Sequence, residues 1–317
     1  MSTRATNNGS FLNGYHAPAS LWKSHLDRSL EEDQWHWDWT TRGALADAGA
    51  RNQIRTARVV AKSSGVWAGQ GLDEAVAALA RAEGFQLECR SALENGAAFK
   101  PGDIVTRWSG PAHALLVFER SYLNLASWCS GIATRTRTTV DLVAQAWASA
   151  GRGSERPIPR VTATRKTLPG FRDLSIQAVI AGGGYSHRTS LAGGVLIKEN
   201  HIAAAGGIEA AVHGARAVAP HGLSIEIEVR NQEEFTQALG LGVGCIMLDN
   251  FRPEEVRSAI ESTRALPGTG RPLIEVSGGI HDGNIASYVM SGVDIISSGS
   301  LTHSVKASDL SMLIDWE

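Results

Sequence analysis

Between residues 165 and 201 the chain places seven groups able to carry positive charge: Arg165, Lys166, Arg172, His187, Arg188, Lys198 and His201. Any one of them alone reads as a solvated charge. Together, interleaved with glycine-rich turns, they describe a pocket for a polyanionic small molecule. Guanidinium forks match carboxylate and phosphate oxygens, and lysine adds a compact point charge. Further along stand Glu226, Glu228 and Asp249. Carboxylates beside an anion pocket repel the ligand unless a divalent cation such as Mg²⁺ lies between, or unless they pair with the pocket's own Arg and Lys. Ser277-Gly278-Gly279 and Ser298-Gly299 can turn backbone N–H groups toward a phosphate.

Other chemistries are excluded by what the sequence lacks. The triple glycine Gly182-Gly183-Gly184 runs into Tyr185-Ser186-His187, so it does not fit G-x-G-x-x-G and reads as a helix-to-loop turn. No Gly-Lys dipeptide, H-E-x-x-H, G-x-S-x-G or Asp-Asp pair occurs. Cys89, Cys129 and Cys245 are too far apart for a Cys-x-x-Cys site, and so sparse a set suits a reducing compartment. With 30 basic against 32 acidic residues the formal charge is −2, which argues against a nucleic-acid partner. The opening MSTRATNNGSF lacks the apolar run of a signal peptide, and no stretch of membrane-spanning length follows. The expectation is a cytoplasmic protein with no membrane partner.

The elements that position these groups fall into two patterns. Residues 1–20 read as a flexible tail, although helical spacing of Leu21, Trp22, Leu26 and Leu30 predicts a helix over Ala19–Asp33. Trp35, Trp37 and Trp39 alternate at period two, which predicts the buried face of an extended segment or a subunit contact. RTARVVAKSSG, FQLECR and GDIVTRWSG read as strands, and LDEAVAALARAEG as a helix ended by Gly84. The stretch from His113 to Ala150 is helical in two segments divided near Gly131, followed by the connector GRGSERPIP at Gly151–Pro159.

Beyond it, short β-branched runs alternate with Ala-rich helical ones: RVTATRK, GGVLIKEN, LSIEIEVR, GCIMLDN, PLIEVSGG and DIISSGS are the strands. Such alternation implies βα units and a parallel sheet. Each run ends in chemistry, at Arg165-Lys166, Lys198, Glu228, Asp249, Ser277-Gly278 and Ser298-Gly299. Ends of parallel strands converge on one rim, where α/β barrels keep their active sites.

ERSYLNLASWCSGIAT, TRKTLPGFRDL, GGGYSHR, VLIKENH, IEIEV, IMLDNF, EVSGGI and SSGSLTHS resemble the quinolinate phosphoribosyltransferase (nicotinate-nucleotide pyrophosphorylase) family. The resemblance spans nearly the whole chain after the tail. It implies an α/β fold: an N-terminal α+β sandwich domain over 21–128, then an incomplete, open α/β TIM-like barrel over 129–317 whose C-terminal tail returns to the first domain. It implies a homodimer or larger assembly with shared sites, Arg120 being donated by the neighbouring subunit. Arg165, Lys166, His187, Arg188 and Lys198 match the family's quinolinate- and phosphate-binding cations. Glu228 and Asp249 match the acidic pair near the ribose and a metal-bound pyrophosphate, and with Lys166 and Lys198 they form the expected catalytic set. Ser277, Gly278 and Gly299 match loops that hold the 5-phosphate. The implied reaction joins quinolinate to phosphoribosyl pyrophosphate, with Mg²⁺, giving nicotinate mononucleotide, pyrophosphate and CO2. The alternatives are a homologue acting on another heterocyclic acid and a catalytically idle binding relative.

Overall fold

The structure is a computed structural model and describes residues 18–152, 158–264 and 270–315. The expected N-terminal tail lies outside the described residues up to position 17, as does the middle of the Gly151–Pro159 connector. The chain divides into two compact units, one from Met1–Arg135, Asp173–Gly183 and Val305–Glu317, the other from Thr136–Arg172 and Gly184–Ser304.

In the first unit, helix α1 (Ala19–Asp33) opens on bonds from Leu21 and Trp22 N–H to the Pro18 carbonyl and buries Trp22, Leu26 and Leu30. These residues recur every four positions, one stripe of a helix, and the stripe packs on α4 (Leu72–Ala82). Between them lie the short helices α2 (Trp39–Ala44) and α3 (Ala48–Asn52). An antiparallel sheet has the order β12-β1-β5-β3, with β1 at Ile54–Ala61, β3 at Glu88–Ser91, β5 at Ile104–Pro111 and β12 at Leu310–Ile314. The last strand of the chain therefore pairs with the first. A separate ribbon joins β2 (Gly65–Val66) to β4 (Ala98–Phe99). Alternate residues Ala57, Val59 and Ala61 face the core, as period two requires.

Two expectations fail here. The indoles do not alternate on a strand: Trp35–Trp37 is a 3₁₀ turn and Trp39 starts α2, where Asp38 caps the helix by accepting from Thr41 N–H at 2.9 Å. Local capping chemistry overrides the period-two pattern. Trp37 and Trp39 remain 60% and 72% exposed in the single chain, with the Arg42 guanidinium 5.4 and 5.7 Å from their ring centres. The second failure is Gly131. Helix α5 runs unbroken over Ala112–Ser149, so Gly131 is not a divide, and the expected domain boundary at 128/129 falls within a continuous helix. The glycine serves close approach instead: a Cβ there would overlap the Lys306 carbonyl and lie 3.0 Å from Ala307 Cα.

The second unit holds a six-stranded, wholly parallel sheet in the order β6-β11-β10-β9-β8-β7. The strands are β6 (Arg160–Thr162), β7 (Val195–Ile197), β8 (Ile225–Val229), β9 (Cys245–Asp249), β10 (Leu273–Ser277) and β11 (Ile295–Ser297). The six runs read as strands in the sequence are these six. Helix α6 (Arg172–Ala181) follows β6 in the chain but from Asp173 on belongs to the first unit, whereas α7 (Glu199–Ala205), α8 (Ile208–Val218), α9 (Gln232–Gly240), α10 (Pro253–Arg264) and the single turn α11 (Ser300–His303) fall between or after the strands of the second. The sheet does not close, because β6 and β7 are its two edges. Among the described residues only the bridge from Thr162 to Tyr185 extends the β6 edge, with Tyr185 N–H donating to the Val161 carbonyl and the Tyr185 carbonyl accepting from Ala163 N–H. An open α/β barrel results, as the family resemblance implies.

Because the Gly131 position has no room for a side chain, Gly131→Val should lower the unfolding free energy by about 1–3 kcal/mol. An unchanged urea midpoint with unchanged slope would contradict the close-approach account.

Candidate active site

The C-terminal ends of the parallel strands surround a cavity of about 570 Å³. Arg165, Lys166, His187, Arg188, Lys198, Glu228, Asp249, Ser277 and Gly278 all line it. Nine of the expected site residues thus come together from the ends of β6, β7, β8, β9 and β10 and from the loop before β7.

The cations are not equivalent. Arg165 and Arg188 each keep Nε buried with no hydrogen-bond partner among the described residues. Arg188 spends one N–H on the Gly194 carbonyl at 3.2 Å, and burial followed by the nearby Arg165 charge lowers its pKa. Two neighbouring guanidinium groups whose Nε donors are unspent among the described residues suit an anionic ligand. Lys166 is exposed, with its backbone braced by Thr302 Oγ1 donating to its carbonyl at 2.8 Å. Lys198 is committed to Glu228, Nζ to Oε2 at 2.5 Å, leaving two of its three N–H donors for a ligand. Lys198 N–H donates to His201 Nδ1 at 2.9 Å, so His201 fixes the start of α7. Arg172 braces two loops through Thr167 Oγ1 and the Thr189 carbonyl and does not line the cavity.

His187 reaches the cavity but points its Nε2 inward, 3.2 Å from Glu226 and 3.6 Å from Glu275. Burial pulls the imidazole down, and the two carboxylates outweigh it, pushing its pKa up to about 10. Arg188 N–H lies 2.9 Å from Nδ1 and favours an unprotonated Nδ1, whereas the carboxylate pair favours a charged ring. Both place a proton on Nε2, and that is the assignment we adopt. His187 is therefore not a spare donor for a ligand, because its Nε2–H already faces the Glu226 and Glu275 carboxylates.

Of the acidic pair, Glu228 is buried and tied to Lys198, the ion-pairing alternative that the sequence left open. Burial, then the neighbouring Asp249 charge, raises its pKa against the lowering effect of Lys198. Asp249 is half-buried and accepts from the neutral Asn250 amide at 2.8 Å. Its carboxylate lines the cavity with no cationic partner among the described residues, an oxygen donor of the kind Mg²⁺ takes.

Asn250 was not anticipated. It sits at φ 57° after β9, and its N–H donates to the Ser277 carbonyl at 2.9 Å. Gly278, at φ 86°, passes so close that a Cβ would lie 2.6 Å from Asn250 Cγ. The signal was present in Leu-Asp-Asn, since asparagine tolerates the left-handed region better than most residues. Glu275 was also missed, although a glutamate within the apolar run LIEVS marks a buried charge. Gly299 does not line the cavity: its missing Cβ leaves room for the Lys166 stem, 3.0 Å from Cδ. Arg120 is exposed on α5 and belongs to the first unit.

An open parallel barrel whose strand ends gather unspent guanidinium groups defines a barrel enzyme for an anionic small molecule. Residues 38–130 and 132–313 match the models of the N-terminal and C-terminal domains of quinolinate phosphoribosyl transferase. A Bacillus subtilis (strain 168) protein named as a probable carboxylating nicotinate-nucleotide pyrophosphorylase is 41% identical over 295 residues, 92% of each chain. The Homo sapiens nicotinate-nucleotide pyrophosphorylase (carboxylating) is 38% identical over 255 residues, 80% of each. NadC from Streptococcus pyogenes superimposes with a TM-score of 0.82 at 33% identity, covering 95% of this chain and 99% of that one. The chain belongs to the quinolinate phosphoribosyl transferase family.

The Lys198–Glu228 pair yields a pH test. A carboxyl whose folded pKa is raised contributes stability below its unfolded pKa and loses it as pH rises through the folded value. Lys198→Met removes a lowering influence, so the variant should fall further behind the wild type at about pH 8 than at about pH 5. Adding Glu228→Gln should abolish that pH dependence. Parallel unfolding curves at both pH values would contradict the pairing.

Proposed function

We infer that this chain transfers the phosphoribosyl group of phosphoribosyl pyrophosphate to the ring nitrogen of quinolinate and removes the 2-carboxylate as CO2. The products are nicotinate mononucleotide and pyrophosphate. The observation that carries this reading is the pair Arg165 and Arg188, two cations with buried, unpartnered Nε atoms facing one cavity. A ring acid with two adjacent carboxylates offers enough charge to satisfy both.

On this reading Arg165 and Arg188 bind and orient the dicarboxylate, with Lys166 adding charge from the cavity edge. The pyridine nitrogen attacks the anomeric carbon as the bond to pyrophosphate breaks, through a state with oxocarbenium character. No side-chain nucleophile is needed, because orientation and charge supply the rate. Lys198, held by Glu228, offers its remaining donors to the leaving phosphates. Glu228 and Asp249 face the ribose, and the backbone N–H groups around Ser277 and Gly278 face the 5-phosphate, with Gly299 outside the cavity. Asp249 would hold Mg²⁺, which when bound neutralises charge on the leaving pyrophosphate. Once the ring nitrogen is quaternary it accepts the electron pair left by departing CO2, and the carbon then takes up a proton.

A cytoplasmic homo-oligomer completes the reading, with Arg120 supplied to the site by a neighbouring copy. Among the described residues no helix is long and apolar enough to cross a membrane.

Purified protein with quinolinate, phosphoribosyl pyrophosphate and Mg²⁺ should release nicotinate mononucleotide and CO2 in equal amounts. Arg165→Ala and Arg188→Ala should each lower kcat/KM roughly 30- to 100-fold, the loss of one or two charge-assisted hydrogen bonds. Turnover of nicotinate or another ring acid with none of quinolinate would overturn the substrate.

A further inference from the structure

The cluster of His187, Glu226 and Glu275 is not accounted for by anion binding. Its ligating atoms lie within 4.8 Å of one another, and two of its three members are acids. Glu275 is 1% exposed, and among the described residues neither of its carboxylate oxygens has a hydrogen-bond partner. The nearest cationic group is His187 Nε2, 3.6 Å away. A buried carboxylate kept in such surroundings costs stability that an apolar residue would not. The adjoining residues of the strand, Ile274 and Val276, are apolar and buried, so the site could have been built that way.

The position of His187 in the chain shows what the acids hold. His187 lies on the loop between α6 and β7, and β6 and β7 are the two edge strands of the open sheet. This loop is secured at Tyr185 by two backbone bonds to the β6 edge. Two residues on, Glu226 from β8 and Glu275 from β10 reach His187 Nε2 from strands that do not neighbour each other. The other ring nitrogen receives the Arg188 N–H at 2.9 Å, and the Arg188 guanidinium is anchored in turn on Gly194 O. One continuous chain of contacts thus runs from two rigid strands, through an imidazole, to the backbone and fork of Arg188. His187, Arg188 and Glu275 also line a second cavity, of about 410 Å³, at the opposite ends of the strands. The cluster is therefore the floor between the two spaces.

We propose that Glu226 and Glu275 are positioning residues: by gripping His187 from β8 and β10 they fix the Arg188 guanidinium in the dicarboxylate subsite and close that subsite from below. The proposal rests on the reading of quinolinate as substrate. It assigns neither acid a contact with the reacting atoms. Their effect falls on the ring-acid subsite, because Arg188 belongs to it, and not on the subsite for the phosphoribosyl donor.

The experiment compares wild type with Glu226→Ala, Glu275→Ala and the isosteric Glu226→Gln and Glu275→Gln. The alanine variants should raise KM for quinolinate roughly 10- to 100-fold, the scale of a misplaced binding group, with KM for phosphoribosyl pyrophosphate held within about twofold. The glutamine variants keep an acceptor for Nε2–H and should recover most of the loss. In a His187→Ala background, Glu275→Ala should add nothing further, since the contact chain is already cut. Equal changes in both KM values, or full additivity with His187→Ala, would overturn the proposal. Should an alanine variant not fold, the glutamine variants and the His187 Nε2–H proton resonance decide. That resonance should be slow to exchange in wild type and shifted in each glutamine variant, and a fast-exchanging wild-type signal overturns the grip. The resonance needs no ligand. If wild type fails to bind quinolinate by calorimetry while the signal behaves as expected, the substrate reading fails and the grip on His187 stands.

Discussion

The candidate site turns on two guanidinium groups, Arg165 and Arg188, set close enough that the charge of the first lowers the pKa of the second. Burial and the nearby Arg165 charge both disfavour the Arg188 cation, and each group keeps its Nε buried without a hydrogen-bond partner among the described residues. Arg165 is held by the turn after β6, where Lys166 N–H meets Thr164 Oγ1 and Thr302 anchors the Lys166 carbonyl. Arg188 is held by its own backbone, its bond to Gly194 and the His187 ring beside it. On the proposed reading, an anion bound between the two groups would relieve that repulsion, and a doubly charged acid would answer both.

The carboxylates around that centre shape it by being spent elsewhere. Glu228 is neutralised by Lys198, and the acids beneath His187 face a protonated Nε2. Glu226 and Glu228 lie two residues apart on β8 and so share one face, yet they serve different levels of the barrel, the first its floor and the second its mouth. Asp249 alone of these acids meets the cavity without a cationic partner among the described residues. Division of labour by strand level lets one face of one strand carry groups whose charges would otherwise conflict.

Much of this was legible from the sequence because parallel strands convert a list of run-ends into a ring. Arg165-Lys166, Lys198, Glu228, Asp249 and Ser277-Gly278 could be grouped without coordinates, since their runs all point one way. What was not legible involves partners distant in sequence. Nothing near His187 announces that it answers to Glu226 and Glu275, and nothing near Gly131 announces the Lys306 carbonyl that requires a glycine inside a helix. The tryptophans mislead for the opposite reason. Their period of two is genuine, but Asp38 caps a helix in their midst, and a local hydrogen bond overrides a weak pattern.

The central claim, that paired unsatisfied guanidiniums select a dicarboxylate, is tested most directly by calorimetric binding of quinolinate and nicotinate to the same protein. One extra carboxylate meeting a waiting guanidinium should make quinolinate bind at least about tenfold tighter, and Arg188→Gln should erase that preference while leaving nicotinate binding nearly unchanged. Equal affinity of the wild-type protein for the two acids would contradict the account.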